Sequence, residues 1–331
     1  MTHCDPTGSR MGNGQRSPEG GVAALELGRY PRVMNHLVLG GTGTVGSAVV
    51  RGLLGRGETV RVLTRSAEKS RSLPRGAQGV VGDLMDPDAY DTIFSNAENV
   101  FILNAVSPTE LHEGLAAINE SRRRRAKRVV YLSIFDVEKA PHVPHFAAKL
   151  AGERAIKESG IPYTILRPSG FFQNDYWYQQ VILQHGVYPD PIGSMGVSRV
   201  DVRDIADAAV NALTRSGFEN RTYAIVGSQP LRGQDCARAY SQALGREIRY
   251  GGDDLESFAK QVRQMVPAWL VYDLILMNEV FQEKGFAATP GQIEEAKSIV
   301  GHAARRYEDF AGETASIWTR TGEQPSATPI S

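Results

Sequence analysis

The sequence predicts a doubly wound parallel α/β fold followed by a smaller, mostly helical C-terminal part. Three observations carry this. From Met34 to about residue 186, apolar strand-like runs alternate with helix-like segments. Several runs are apolar throughout, as in Val100-Phe101-Ile102-Leu103 and Val129-Val130-Tyr131-Leu132, which suits strands covered on both faces. The first run, Leu37-Val38-Leu39, passes directly into Gly40-Gly41-Thr42-Gly43-Thr44-Val45-Gly46.

Strands are expected at 36–40, 59–64, 78–82, 99–103, 128–133 and 162–166. Helices are expected between and after them at 44–56, 66–73, 86–97, 108–124, 144–159 and 170–185. The helix at 44–56 places Val45, Val49, Val50 and Leu53 on one face at helical spacing. After residue 186 the rhythm changes. Gly193 and Gly196 precede a short run, 197–202, then a helix at 203–213 and a strand at 222–226. Helices dominate from there, at 232–244, 253–264, 266–283, 289–299 and 304–315, in a part suited to cover the carboxyl edge of the sheet. The chain thus divides into a disordered extension over 1–33, a nucleotide-binding domain over 34–186, a C-terminal substrate part over 187–320 with segments returning to the sheet, and a frayed tail over 321–331.

Composition narrows the function classes. The chain has 331 residues, 41% apolar and 22% charged, which is a globular balance. Lys plus Arg and Asp plus Glu both number 37, so no overall field draws the protein to nucleic acid or to an anionic membrane. Of the 2 cysteines, Cys4 lies in the extension and Cys236 in the body, which favours a reducing, cytoplasmic setting without a disulfide. The opening residues hold no apolar stretch of a secretory signal; their Arg-bearing, acid-poor character leaves a transit peptide as the second reading. Met34, two residues before the first strand, suggests that 1–33 is an upstream extension.

The glycine string is the strongest chemical signal. It fits G-x-G-x-x-G as Gly41, Gly43 and Gly46, between a strand and a helix. Glycine lets the backbone turn tightly against a pyrophosphate, and the following helix aims free N–H groups at it. A second strand at 59–64 completes a βαβ unit of about 30 residues. At the end of that strand, Arg65 stands where a ribose-binding carboxylate is usual. A guanidinium there suits the 2′-phosphate of NADP(H) rather than NAD(H), although a solvated loop cation would look the same. Asp83, in Gly82-Asp83-Leu84, could accept from an adenine amino group or simply cap a turn. Asn104 and Ala105, after the fourth strand, suit close passage of a cofactor.

These motifs, with His145-Phe146-Ala147-Ala148-Lys149, Ile161 to Pro168, Gly170-Phe171-Phe172-Gln173-Asn174 and Asp201 to Ala206, resemble the NmrA-like branch of the atypical short-chain dehydrogenases/reductases. The resemblance runs from about Met34 to Trp318. It implies a Rossmann domain that binds NADP(H), and hydride transfer to a small carbonyl, quinone or other electron-poor aromatic acceptor. Its alternative is the family's non-catalytic form, an NADP(H)-binding redox sensor. The cofactor residues it implies are Gly40, Gly41, Thr42, Gly43, Thr44, Val45, Gly46, Arg65, Asp83, Leu84, Asn104, Ala105, Ser133, Lys149, Pro168, Gly170 and Phe171. The wider superfamily uses Tyr-x-x-x-Lys; here His145 holds the tyrosine position and Lys149 is kept. Both sit on one helix face, as candidate catalytic residues. His145 could supply a proton near neutral pH, and Lys149 could hold ribose hydroxyls or supply a proton or positive charge. Phe171 and Phe172 could wall the nicotinamide, with packing in the core as the other reading.

Two further signals are set aside. His142-x-x-His145 has metal-ligand spacing but no third ligand cluster, so no metal is expected. The run Arg122 to Arg125, with Lys127 and Arg128, reads as a solvated helix end.

Overall fold

The computed structural model describes residues 34–321. The extension expected over 1–33, and the expected tail after Thr321, lie outside the described residues.

The strands are β1 (Asn35–Val38), β2 (Thr59–Thr64), β3 (Ala77–Val81), β4 (Asn99–Ile102), β5 (Arg128–Leu132), β6 (Tyr163–Pro168), β7 (Val187–Tyr188), β8 (Arg221–Ile225) and β9 (Arg249–Tyr250). Seven form one parallel sheet in the order β3-β2-β1-β4-β5-β6-β8, while β7 and β9 pair apart from it. The helices are α1 (Thr44–Gly55), α2 (Ala67–Arg71), α3 (Tyr90–Ile93), α4 (Glu110–Arg123), α5 (Pro144–Glu158) and α6 (Val202–Thr214). They continue with α7 (Gly233–Leu244), α8 (Leu255–Val262), α9 (Ala268–Lys284), α10 (Pro290–Val300) and α11 (Tyr307–Thr321).

The continuous apolar strands explain the two-sided core. Leu37, Leu39, Val100, Ile102, Val129, Tyr131 and Ile165 face one way, against Ile93, Ile118 and Ile156. Their neighbours Val38, Phe101, Val130, Leu132 and Leu166 face the other, against Val49 and Leu53 of α1 and Ile205 and Ala209 of α6. A third core, around Phe146, Phe172, Tyr240, Phe286 and Trp318, joins the sheet's carboxyl edge to the C-terminal helices. The strand order reverses between β2 and β4, on either side of β1. The crevice outside the carboxyl ends of β1 and β4 is where such folds bind ligands. This is a Rossmann fold. Segments after residue 186 pack on the sheet: β8 extends it beside β6, α6 and α1 share one core, and α10 places Ile299 and Val300 in it.

Three elements differ from the sequence expectation. The helix expected at 86–97 is a 3-10 turn, Pro87–Ala89, followed by the single turn α3. The helix expected at 170–185 begins instead in extended chain, with Phe172 N–H donating to the Val200 carbonyl and Val200 N–H to that of Gly170, both at 2.9 Å. It continues as a 3-10 segment, Phe172–Tyr178, and a π turn, Val181–His185. Arg199 explains this in part, because its guanidinium takes the Phe171 carbonyl at 2.6 Å. The β7–β9 pair, two residues per strand, is too short to leave a periodic signal.

Candidate functional site

The glycine turn is closed by contact between its own ends. Gly40 adopts φ +71, the left-handed region where side chains are disfavoured. A Cβ on Gly46 would lie 2.1 Å from the Gly40 carbonyl oxygen, so only hydrogen fits there. α1 then starts at Thr44 with no side-chain cap and no carboxylate in its first turn. Its N-terminal end is therefore electropositive and open to an anion. Val45 turns its side chain fully into the core, so it could offer a ligand only its backbone.

Two cavities meet at this edge. One, of about 820 Å³, is bounded by Gly40, Thr42, Gly43, Arg65, Lys69, Asp83, Leu84, Asn104 and Ala105. Arg65 and Lys69 are exposed at its rim. Asp83 accepts from Met85 N–H at 2.9 Å, so it makes the turn contact that the sequence left as one of two readings. The second cavity, of about 670 Å³, is bounded by Ser133, His145, Lys149, Pro168, Ser169, Gly170 and Phe171, with Met277, Phe281 and Phe286 from the C-terminal part. Leu103 and Asn104 line both, so the two form one cleft.

In the second cavity the charged side chains come in buried pairs. Lys149 Nζ lies 2.8 Å from Glu110 Oε1 and 3.4 Å from the Asn104 carbonyl, and both side chains are almost wholly buried. Burial alone would lower the Lys149 pKa; the Glu110 carboxylate outweighs it and leaves it raised. The Glu110 carboxylate thus favours the charged form of Lys149. His145 Nδ1 lies 2.7 Å from Asp273 Oδ1 of α9, and both residues are buried. His145 also borders an outer groove lined by Leu111, Trp269, Tyr272 and Asp273.

Ser133 lines the cleft but donates its hydroxyl to Glu153 Oε1 at 2.6 Å. Burial would raise the Glu153 pKa, but hydrogen bonds from Arg167 and Ser133 hold it below the usual carboxylate range. Phe171 lines the cleft. Phe172 does not: it is buried against Tyr307 and Phe310, which settles for packing the choice left open by the sequence. Asn104 Oδ1 and Ser169 Oγ are buried at the cleft without a hydrogen-bond partner. A cradle that a Cβ would fill, an uncapped helix end and these two unpaired atoms fit an elongated dinucleotide.

The sequence matches the model of the NmrA-like family over residues 35–312. This chain belongs to the NmrA-like family. An NAD(P)H azoreductase from Xenophilus azovorans is 34% identical over 285 residues, covering 85% of this chain and 98% of the relative. An NADPH-dependent quinone oxidoreductase from Escherichia coli, solved with NADPH, matches with a TM-score of 0.75 at 20% identity, over 86% of this chain and 100% of its own. NmrA, a negative transcriptional regulator solved with NADP, matches with a TM-score of 0.71 at 20% identity, over 86% of this chain and 96% of its own. At such identities the two solved structures speak for the fold.

The NmrA-like chain also holds site residues that the sequence did not single out. Glu110, Ser169 and Asp273 are the chief ones. Asp273 had a readable signal, as the lone charge in the apolar stretch Trp269 to Met277. Glu110 had a weaker one, a carboxylate in the first turn of a helix, where acidic residues are common for helix stability alone. The discounted basic run is mostly paired: Arg123 and Arg124 with Glu120, Lys127 with Glu98, and Arg128 with Glu219. No helix among the described residues is long and apolar enough to cross a membrane.

Proposed function

We propose that this protein is an NADP(H)-dependent reductase that delivers hydride to a carbonyl, quinone or other electron-poor aromatic acceptor. The observation that carries the reading is the joining of a dinucleotide cradle to an aromatic-lined pocket holding Lys149 and His145. The 34% identity to an NAD(P)H azoreductase supports it. The bound dinucleotide supplies the hydride. The turn from Gly40 to Gly46 receives its pyrophosphate, Arg65 with Lys69 its 2′-phosphate, and Asp83 with Leu84 its adenine. Asn104, Ala105, Ser133, Pro168, Gly170 and Phe171 line the path towards the reacting end.

Lys149 holds ribose hydroxyls and keeps a positive charge near the oxygen that becomes negative as hydride arrives. Each hydride added to a carbonyl or quinone must be matched by one proton. His145, held at Nδ1 by Asp273, delivers that proton from its other nitrogen, and the outer groove gives the ring a route for reprotonation. Asp273 is a positioning residue in this scheme.

A second reading is a non-catalytic NADP(H)-binding sensor. It is favoured by the absence of the superfamily tyrosine and by the likeness to NmrA. Anaerobic mixing with NADPH and a panel of quinones and azo compounds separates the two, by the loss of reduced-nicotinamide absorbance. Turnover is expected. Tight NADPH binding without turnover on the panel would favour the sensor. Asp273→Asn should lower kcat about tenfold with little change in KM or in NADPH affinity. An unchanged kcat would remove the His145–Asp273 pair from proton delivery.

A further inference from the structure

Behind the cleft lies a second, smaller chamber. Gly170, Asn174, Met277 and Phe281 line both spaces, so an acceptor seated beside Phe171 could extend into it. Much of its wall is apolar, but Asp190, Asn278 and Arg199 face it too.

The polar groups are not equally free. Arg199 spends its terminal nitrogens on the protein: Nη1 donates to Tyr188 Oη at 2.6 Å, and Nη2 to Asp175 Oδ1 at 2.7 Å and to the Phe171 carbonyl at 2.6 Å. Asp175 is wholly buried, accepts from Tyr188, Tyr240 and Tyr307 as well, and cancels the Arg199 charge. Asp190 accepts from the Tyr178 hydroxyl at 3.2 Å. Asn278 is 1% exposed; its amide donates to the Leu274 carbonyl, while its Oδ1 is buried with no donor. An acceptor atom in that state costs stability unless a ligand or water fills it. The chamber therefore presents a carboxylate and an unpaired amide oxygen, with one negative charge left uncancelled.

We infer that this chamber is a distal substrate subsite that takes an amine or ammonium group attached to the aromatic acceptor, through Asp190 and Asn278, and disfavours anionic substituents. The inference rests on the reductase reading for the identity of the acceptor, but the subsite can be measured without turnover. The partners match in kind: an ammonium carries N–H donors and positive charge, and the chamber offers a carboxylate and an amide oxygen to receive them.

The test uses three naphthoquinones that differ only in a short side arm: aminoalkyl, alkyl and sulfonatoalkyl. Each is titrated calorimetrically into the full chain loaded with NADP⁺, where no hydride is available. The aminoalkyl compound should bind about tenfold more tightly than the alkyl one, and the sulfonate most weakly. In Asp190→Asn the preference for the ammonium should collapse to within about twofold. Asn278→Leu should reduce it about threefold, and serves if Asp190→Asn does not fold. Equal affinities for the three arms, no binding by any of them, or a preference that survives Asp190→Asn would overturn the subsite.

Steady-state rates with NADPH keep the two readings apart. Turnover without ranking by arm removes the subsite and leaves the reductase. Ranking in the titrations without turnover removes the reductase and leaves the subsite.

Discussion

Around Gly40 to Gly46 the protein offers backbone: a left-handed glycine, a turn closed on itself and the open end of α1, with its cations exposed at the rim. Around Lys149 it offers side chains: two carboxylates, a lysine and a histidine, paired and buried, each drawn from a different helix or helix turn. The first region works by leaving out atoms. The second works by adding charges where the local dielectric is low and then balancing them. The first should fail when any atom is added, and the second when any partner is removed.

Gly46→Ala is the most severe way to break the first region. Its Cβ would meet the Gly40 carbonyl oxygen at 2.1 Å, and the turn must open to admit it. Calorimetric titration should show NADPH affinity reduced by more than about a thousandfold, or more than about 4 kcal/mol. Gly55→Ala, at the far end of α1 where an added Cβ meets nothing within 4 Å, should leave that affinity intact. A Gly46→Ala protein that still binds would mean that the closed turn is not the cradle.

Lys149→Met does the equivalent damage to the second region by stranding Glu110 in the interior. Urea unfolding should report a loss of about 3–5 kcal/mol, and adding Glu110→Gln should restore part of it. A loss below about 1 kcal/mol would show that the pair is hydrated in solution. Arg65→Ala sharpens the comparison at smaller amplitude. NADPH should bind about tenfold more weakly and NADH nearly as before, because only the former carries the 2′-phosphate. Equal losses for both would make Arg65 a general rim cation.

The smallest effect concerns Asp190, in the chamber behind the cleft. Burial pushes its carboxyl up to about 6, with Arg199 opposing and Asp175 adding to the rise. The folded protein then holds this proton more tightly than the unfolded chain does. The group's contribution is fully present below about pH 4, and is lost as the pH rises towards 6. Asp190→Asn should therefore melt about 3 °C above the native protein at pH 8 and together with it at pH 4. A melting temperature lower at pH 8 would reverse the assigned shift.

Much of the fold was legible because parallel strands buried on both faces must be apolar throughout. Val100-Phe101-Ile102 and Val129-Val130-Tyr131-Leu132 carry that mark whatever surrounds them. The stretch at 170–185 was misread because its backbone answers to Arg199 and Val200, which no local pattern reveals. The site divides in the same way. A glycine turn is written in consecutive residues, whereas the contact between His145 and Asp273 spans 128 positions. Local periodicity carries no information on which distant carboxylate will meet a given ring. The role of Phe172 was undecidable for a related reason: it depends on Tyr307 and Phe310, brought in by α11.

The neutralised Lys149–Glu110 pair gives the cleft a direction. With that inner cation cancelled, the exposed cations Arg65 and Lys69 stand at the other end, among the carboxylates Asp83 and Glu113. A long ligand carrying its negative charge towards one end finds its countercharge in those two side chains. It is drawn in by its phosphates, and its uncharged ring follows into the aromatic pocket. Capture of the right orientation should then depend on close pairing of phosphate with guanidinium and ammonium at that rim, weakening as added ions screen it.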